Sequence, residues 1–220
     1  MKKKIKKVLL LLLTISLCGC NGNNTKEEIQ IKTLPDKSNP NSTSMSDSPL
    51  SALNIDDYLF LDNVMYVDTR SPQMFLEEGH IAGFVNIPYY EGICQHEVKE
   101  GILFNMDKIK NADGTFIPMG NVGSFKPNYQ ESVDILYQTF PKDEKIVFIA
   151  SAGVESCYLM NLLIQYGYDA SLLYNAGAVT NSLGKNVAYK DLDNTKHFVG
   201  PVDTFKVDNY IDWGKLTPIE

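Results

Sequence analysis

The stretch KIVFIASAGVESCYLM, residues 145–160, has the arrangement in which proteins often place a nucleophile. A β-branched and aromatic run predicts a strand at 145–149, a loop of small residues follows, and apolar residues at helical spacing predict a helix at 156–166. Such a loop points backbone N–H groups and a helix N-terminus at an anion. Ala150 ends the strand, however, and its methyl group cannot react. Three interpretations are open: the nucleophile has been lost, it lies nearby, or the loop never carried chemistry.

Two thiols, Cys94 and Cys157, are the nearby candidates for that chemistry. Cys157 falls in the first turn of the predicted helix, where the N-terminus lowers a thiol pKa, although a buried structural cysteine is the favoured interpretation. Cys94 stands close to His96 and Glu97, but a zinc site needs further ligands at useful spacing, and none is present. We therefore predict no metal and no cofactor. A Cys94–Cys157 disulfide is possible outside the cytoplasm.

Strands and helices alternate along the region that must position this loop. Strands alternating with helices predict a mainly parallel α/β sheet, in which ligands bind beyond the carboxyl ends of the strands. Ala150 falls at such an end. The predicted elements are strand 64–67, a short helix opened by Ser71 and Pro72, strand 83–87, helix 129–140, strand 145–149, helix 156–166 and strand 170–174.

The N-terminus predicts export. Residues 1–19 combine a lysine-rich start with an apolar stretch that is too short to span a bilayer, as in a signal peptide. The following Leu17-Cys18-Gly19-Cys20 resembles the lipobox of bacterial lipoproteins, which implies cleavage before Cys20 and a diacylglycerol on its thiol. An ordinary secretory peptide cleaved elsewhere is the alternative. Residues 20–50 are rich in polar residues and proline, and they predict a flexible tether.

Charge and length limit what the remainder can do. The chain of 220 residues carries a net charge of −7, which falls to −12 without the five lysines of residues 1–19. Nucleic acid and anionic membrane surfaces are poor partners for such an acidic protein. Residues from 51 onward are enough for one domain with a core of its own.

The stretch YVDTRSPQMFLEEGHIAGFVNIP, residues 66–88, closely resembles the first signature of rhodanese domains. The resemblance extends over roughly residues 54–183 and implies a parallel sheet flanked by helices. It assigns structural roles, in a polar network and in turns, rather than acid–base roles to the matching residues Asp68, Arg70, His80, Gly83 and Pro88.

Active rhodaneses present a Cys-Arg-x-Gly-x-Arg-Ser loop, whose cysteine carries a sulfane sulfur as a persulfide. The corresponding residues are Ala150, Ser151, Ala152, Gly153, Val154, Glu155 and Ser156. Only Gly153 and Ser156 match, the nucleophile position holds Ala150, and Glu155 would repel the anion that arginine attracts. Phosphatase relatives of the fold need the same cysteine and arginine. Ser156 is expected to be the N-cap of its helix.

Two further features depart from a compact rhodanese domain. Residues 89–128 form a long insertion, with a small hairpin predicted around Asp113-Gly114, and residues 185–220 form an extension expected to pack on the domain of residues 51–184. Trp213 is expected to be a packing anchor.

These patterns predict a lipid-anchored, extracytoplasmic rhodanese-like pseudoenzyme. It would be held to the cell membrane through Cys20 and would bind a protein or a small anion through the insertion or the 150–156 loop. One alternative is a sulfurtransferase or sulfur carrier that uses Cys157 or Cys94. Another is a purely structural envelope protein that tolerates mutation of the whole loop.

Overall fold

The computed structural model describes residues 32–108, 122–184, 186–204 and 210–220. The strands in these ranges are β1 (Val64–Asp68), β2 (His80–Ile81), β3 (Val85–Asn86), β4 (Cys94–Gln95), β5 (Phe104–Lys108), β6 (Val122–Pro127), β7 (Lys145–Ala150), β8 (Leu173–Ala178) and β9 (Phe198–Val199). The α-helices are α1 (Pro72–Glu77), α2 (Ser132–Thr139) and α3 (Val154–Gln165). Residues 1–31, which include the predicted signal peptide and Cys20, lie outside the described ranges.

A four-stranded parallel sheet in the order β3-β1-β7-β8 forms the centre of the fold. Together with the helices that flank it, this sheet confirms the predicted α/β class and is consistent with a rhodanese-like fold. Since all four strands run the same way, their carboxyl ends meet at one edge, where Ala150 is aligned with Ala178.

The two faces of this sheet bury separate cores, as alternation along a strand requires. Ile146 and Phe148 of β7 face one core, which α2 and α3 complete with Leu136 and Leu159. Val147 of the same strand faces the other core. That second core is completed by Leu34, Leu50, Ile55 and Tyr189, which come from segments before and after the sheet.

Part of the predicted flexible tether is packed on this second face. Leu34 and Leu50 are only 2% and 1% exposed, so residues 32–50 do not behave as the tether predicted for residues 20–50. The physical reason is that α2 and α3 cover one face of the sheet, while the apolar side chains of the opposite face need other cover. Two leucines in an otherwise polar stretch provide part of it.

The insertion forms a small sheet of its own. β4 pairs in parallel with β5, and β5 pairs antiparallel with β6. The turn predicted at Asp113-Gly114 lies outside the described residues. The free edge of β6 is paired by a side chain, because the Phe125 N–H donates to Oε1 of Gln165 at 2.8 Å and Nε2 of Gln165 donates to the Phe125 carbonyl at 2.7 Å.

The C-terminal extension contacts the domain at several places. β9 pairs with β2 in antiparallel register, and the Tyr189 hydroxyl donates to the Asp56 carboxylate. Near the end of the chain, the Ile219 N–H donates to the carbonyl of Asn128 at 2.8 Å. These contacts join segments that are far apart in the chain, so no short sequence motif predicts them.

Several element boundaries differ from the sequence prediction. α2 begins at Ser132 rather than at residue 129, and β3 covers only Val85–Asn86. α3 begins at Val154 with Gly153 as its N-cap residue, so the prediction that Ser156 is the N-cap is wrong. Ser156 lies inside the helix and is fully buried. The last parallel strand begins at Leu173 rather than at residue 170, because Asp169 caps a short 3-10 turn by accepting a hydrogen bond from the Ser171 N–H at 2.8 Å.

Candidate functional site

The candidate loop joins β7, which ends at Ala150, to α3, which begins at Val154. Ala150 is fully buried, and its carbonyl accepts a hydrogen bond from the Val179 N–H at 2.9 Å. The chain then turns through Gly153, whose φ is +84°, into α3. A buried methyl group offers neither a nucleophile nor a proton donor.

Gly153 is required at this turn for two reasons. Its positive φ is strained for residues with a side chain. A Cβ added there would also lie 2.1 Å from Sδ of Met45 and 3.2 Å from the backbone of Gly177. The loop is therefore packed tightly on both sides.

Glu155 brings a carboxyl group to the loop where the rhodanese resemblance expects an arginine. The side chain is half-buried, and its Oε2 atom is buried without a hydrogen-bond partner among the described residues. Burial raises the pKa of this carboxyl, and the nearby charge of Asp68 raises it further. The Glu155 charge in turn raises the pKa of Tyr90 and Tyr158, although burial is the larger cause for both. When ionised, Glu155 would repel an anion at the loop.

Cys157 is buried on α3, and its Sγ contacts three neighbours, one of which is the Gly153 carbonyl at 3.6 Å. Its Sγ donates to the Thr43 carbonyl at 3.1 Å and accepts from Nδ2 of Asn175 at 3.2 Å. Burial raises the pKa of the thiol, although hydrogen bonds from Asn175 and from the backbone of Met45 act in the opposite direction. A reactive cysteine instead needs a lowered pKa and a thiol that a reagent can reach from solvent.

Cys94 is a core residue of the insertion. It is fully buried, it is not disulfide-bonded, and burial raises the pKa of its thiol to about 12. Nδ1 of the neighbouring His96 is 3.0 Å from the Met106 carbonyl, and its Nε2 is 3.4 Å from the exposed Glu97 carboxylate. Among the residues that the structure describes, no group of three potential ligands could hold a metal ion.

Asp68 and Arg70 form a buried ion pair beneath the loop edge. Nη2 of Arg70 lies 2.7 Å from Oδ2 of Asp68, and its Nε lies 3.0 Å from Oδ1. The same Nη2 donates to the Gly79 carbonyl at 2.8 Å, and the Asn86 amide donates to the carbonyls of Asp68 and Arg70. These contacts tie the end of β1 to the segment after α1 and to β3.

His80, Gly83 and Pro88 hold turns around this pair. The His80 ring stacks on Phe75 with a centroid distance of 3.9 Å, and burial lowers the pKa of the imidazole. Gly83 has a φ of +88°, and a Cβ there would meet the Phe60 ring at 2.8 Å. Pro88 lines a cavity with Trp213, which packs at the edge of the helical core.

Two cavities beside the insertion were not predicted from the sequence. One, of about 560 Å³, is lined by Tyr129 and Trp213, and the other, of about 640 Å³, is lined by Asn105 and Lys126. They share Lys99, Asn128 and Ile219, so they adjoin each other at the C-terminal residues. The two cavities form only where the C-terminal residues pack against the insertion. No local sequence pattern therefore predicts them.

Comparison with known proteins adds no identification. No protein-family model matches the sequence, and no curated protein is significantly similar to it. Within the described ranges, no helix is both long enough and apolar enough to cross a bilayer.

Proposed function

We propose that this chain is a rhodanese-like pseudoenzyme, a binding module without sulfurtransferase activity. The observation that carries the proposal is the fully buried Ala150 at the end of β7, at the position where the sequence resemblance places the nucleophile. A persulfide needs a sulfur atom at that point, and a methyl group cannot supply it. A fold does not by itself imply an activity, so the residues at the site decide whether sulfur transfer can take place.

The two remaining thiols support the same conclusion. Both Cys94 and Cys157 are buried, and burial raises the pKa of each, so little thiolate is present near neutral pH. A sulfurtransferase or sulfur carrier that uses one of them is the second candidate function. It would require the chain to open before either thiol reached a donor.

The binding surface of the proposed module is the face where the insertion meets the C-terminal residues. The two cavities of about 560 and 640 Å³ have the size of sites for small ligands or for side chains of a partner. Lys99 and Lys126 stand beside Glu97 and Asp107 there, so the lining is of mixed charge. This face fits a protein or peptide better than a free anion.

The location that we propose is the cell envelope, with a lipid on Cys20. This part rests on the lipobox resemblance of residues 17–20. Two or more acyl chains anchor a protein stably, whereas one chain does so only marginally. Labelling of the full chain with radioactive palmitate in a bacterial host tests it, with Cys20→Ser as the variant expected to lose the label. Equal labelling of both chains would contradict the proposal.

Sulfur transfer from thiosulfate to cyanide tests the absence of activity. We expect no activity in the parent chain or in Cys94→Ser and Cys157→Ser. Parent activity that disappears with either serine variant would overturn the proposal and identify the nucleophile. Ala150→Cys is the matched gain-of-function variant, and activity in that variant alone would show that the loop lacks only the sulfur atom.

A further inference from the structure

Residues 42–48 lie across the loop between β7 and α3. Ser44 caps a single 3-10 turn, Met45–Asp47, by accepting from the Ser46 N–H at 3.3 Å. The Thr43 carbonyl, just before this turn, accepts a hydrogen bond from the Cys157 thiol. Met45 places its sulfur directly over Gly153, at the point that any side chain of residue 153 would occupy.

Lys37 anchors the chain just before this segment. Its Nζ donates to the carbonyls of Ala170 and Leu173, at 2.9 and 3.1 Å, where β8 begins. It also donates to the carbonyls of Pro40 and Ser42, at 3.2 and 2.6 Å. One ammonium group therefore joins the N-terminal segment to the sheet and fixes its approach to the loop.

The segment is held less firmly than the chain on either side of it. Leu34 and Leu50 are buried in the second core, but no residue between them is fully buried. Ser44 and Ser46 are exposed, and Met45 is half-buried. Segments with few buried apolar contacts open at a small fraction of the free energy of global unfolding. This stretch can therefore leave the loop while both leucines stay in place.

We propose that residues 42–48 are a displaceable cover that closes the 150–156 loop to ligands. While the cover is docked, the Met45 side chain occupies the space over Gly153, and the Cys157 thiol is screened by the backbone of residues 43–45. Once displaced, it exposes the loop and the first turn of α3. The cover does not depend on the proposed function, which places partner binding on a different face of the molecule.

Site-resolved alkylation of the full chain tests the cover. N-ethylmaleimide is added under native conditions, and the modification of each cysteine-containing peptide is followed by mass spectrometry. Cys157 reports on the cover. Cys94 is fully buried in the other core and reports on global unfolding. The variants are Met45→Ala and Lys37→Met, and Asn41→Ala is the control because that side chain is exposed.

We expect Met45→Ala to raise the alkylation rate of Cys157 about tenfold, since the half-buried methionine loses its contact with the loop. Lys37→Met is expected to act in the same direction. Asn41→Ala should match the parent at both cysteines. In the parent and in every variant, Cys157 should react much faster than Cys94, because the cover opens without global unfolding. Equal rates at the two cysteines of the parent, or a Cys157 rate unchanged in both variants, would overturn the proposal. The sulfur-transfer assay does not enter this test, so the two proposals fail separately.

Discussion

The Asp68–Arg70 pair predicts a large and specific loss of stability when one partner is removed. Both side chains are fully buried, and Nε and Nη2 of Arg70 contact the carboxylate at 2.7–3.1 Å. Arg70→Met leaves the Asp68 charge buried and leaves the Gly79 carbonyl without the guanidinium donor. Breaking a buried ion pair from one side costs about 3–5 kcal/mol. Asp68→Asn leaves the buried guanidinium with only the partly exposed Glu78 carboxylate, 3.9 Å from Nη1, and is expected to cost less than Arg70→Met.

The assay is urea unfolding of the full chain followed by far-ultraviolet circular dichroism. With a denaturant slope of about 2 kcal/mol per molar urea, a loss of 4 kcal/mol lowers the unfolding midpoint by about 2 M. The double variant Asp68→Asn/Arg70→Met removes both charges. It is expected to cost clearly less than the two single losses together, and the double-mutant cycle measures that coupling. Glu100→Gln, at an exposed carboxylate without an ion pair among the described residues, is the control.

A loss below about 1 kcal/mol for Arg70→Met, or a coupling energy near zero, would refute this reasoning. Either result would mean that water or another group compensates the remaining charge, as happens at exposed ion pairs. The rhodanese resemblance would then have to explain Asp68 and Arg70 by a role in binding rather than by a role in holding the loop edge.

Three further substitutions probe the loop and the edge of the insertion sheet. Gly153→Ala is expected to lower the melting temperature more than Gly101→Ala, because both glycines have positive φ but only the Cβ at 153 meets other atoms. Calorimetry measures this, and equal losses would contradict it. Glu155→Gln is expected to gain stability relative to the parent as pH rises above 4.5. Burial raises the folded pKa above that unfolded value, so ionisation of Glu155 destabilises the parent from there upward. Parallel urea midpoints of parent and variant from pH 4 to 7 would exclude this effect. Gln165→Leu is expected to cost about 1–2 kcal/mol in urea unfolding, since the Phe125 N–H and carbonyl lose their side-chain partner. Gln138→Leu on α2 is the control, and a comparable loss there would point to helix propensity instead.

The elements around the loop were predictable because their signals are local. The strand and helix that flank residues 150–153 follow from hydrophobic alternation and helical spacing, and both were found within two residues of their expected positions. The Ser71-Pro72 start of α1 was also correct, with the Ser71 hydroxyl accepting from the Met74 N–H at 3.1 Å. The N-cap of α3 was missed because a glycine at positive φ is typical of a helix end. The tight turn at Gly153, with a φ of +84°, nevertheless starts α3 before Ser156 is reached.

The sequence by itself determined the α/β class, the position of the loop and the absence of a nucleophile at Ala150, because each depends on residue type and short-range spacing. Tertiary structure decided the rest. It half-buried the Glu155 side chain, placed Met45 over Gly153, and brought C-terminal residues into the lining of two cavities. Each of these contacts joins segments far apart in the chain, and their free energy comes from surface that only the assembled sheet presents. Residues 32–50 have the composition of a tether, and Leu34 and Leu50 are buried only because the second face of the sheet is there to receive them.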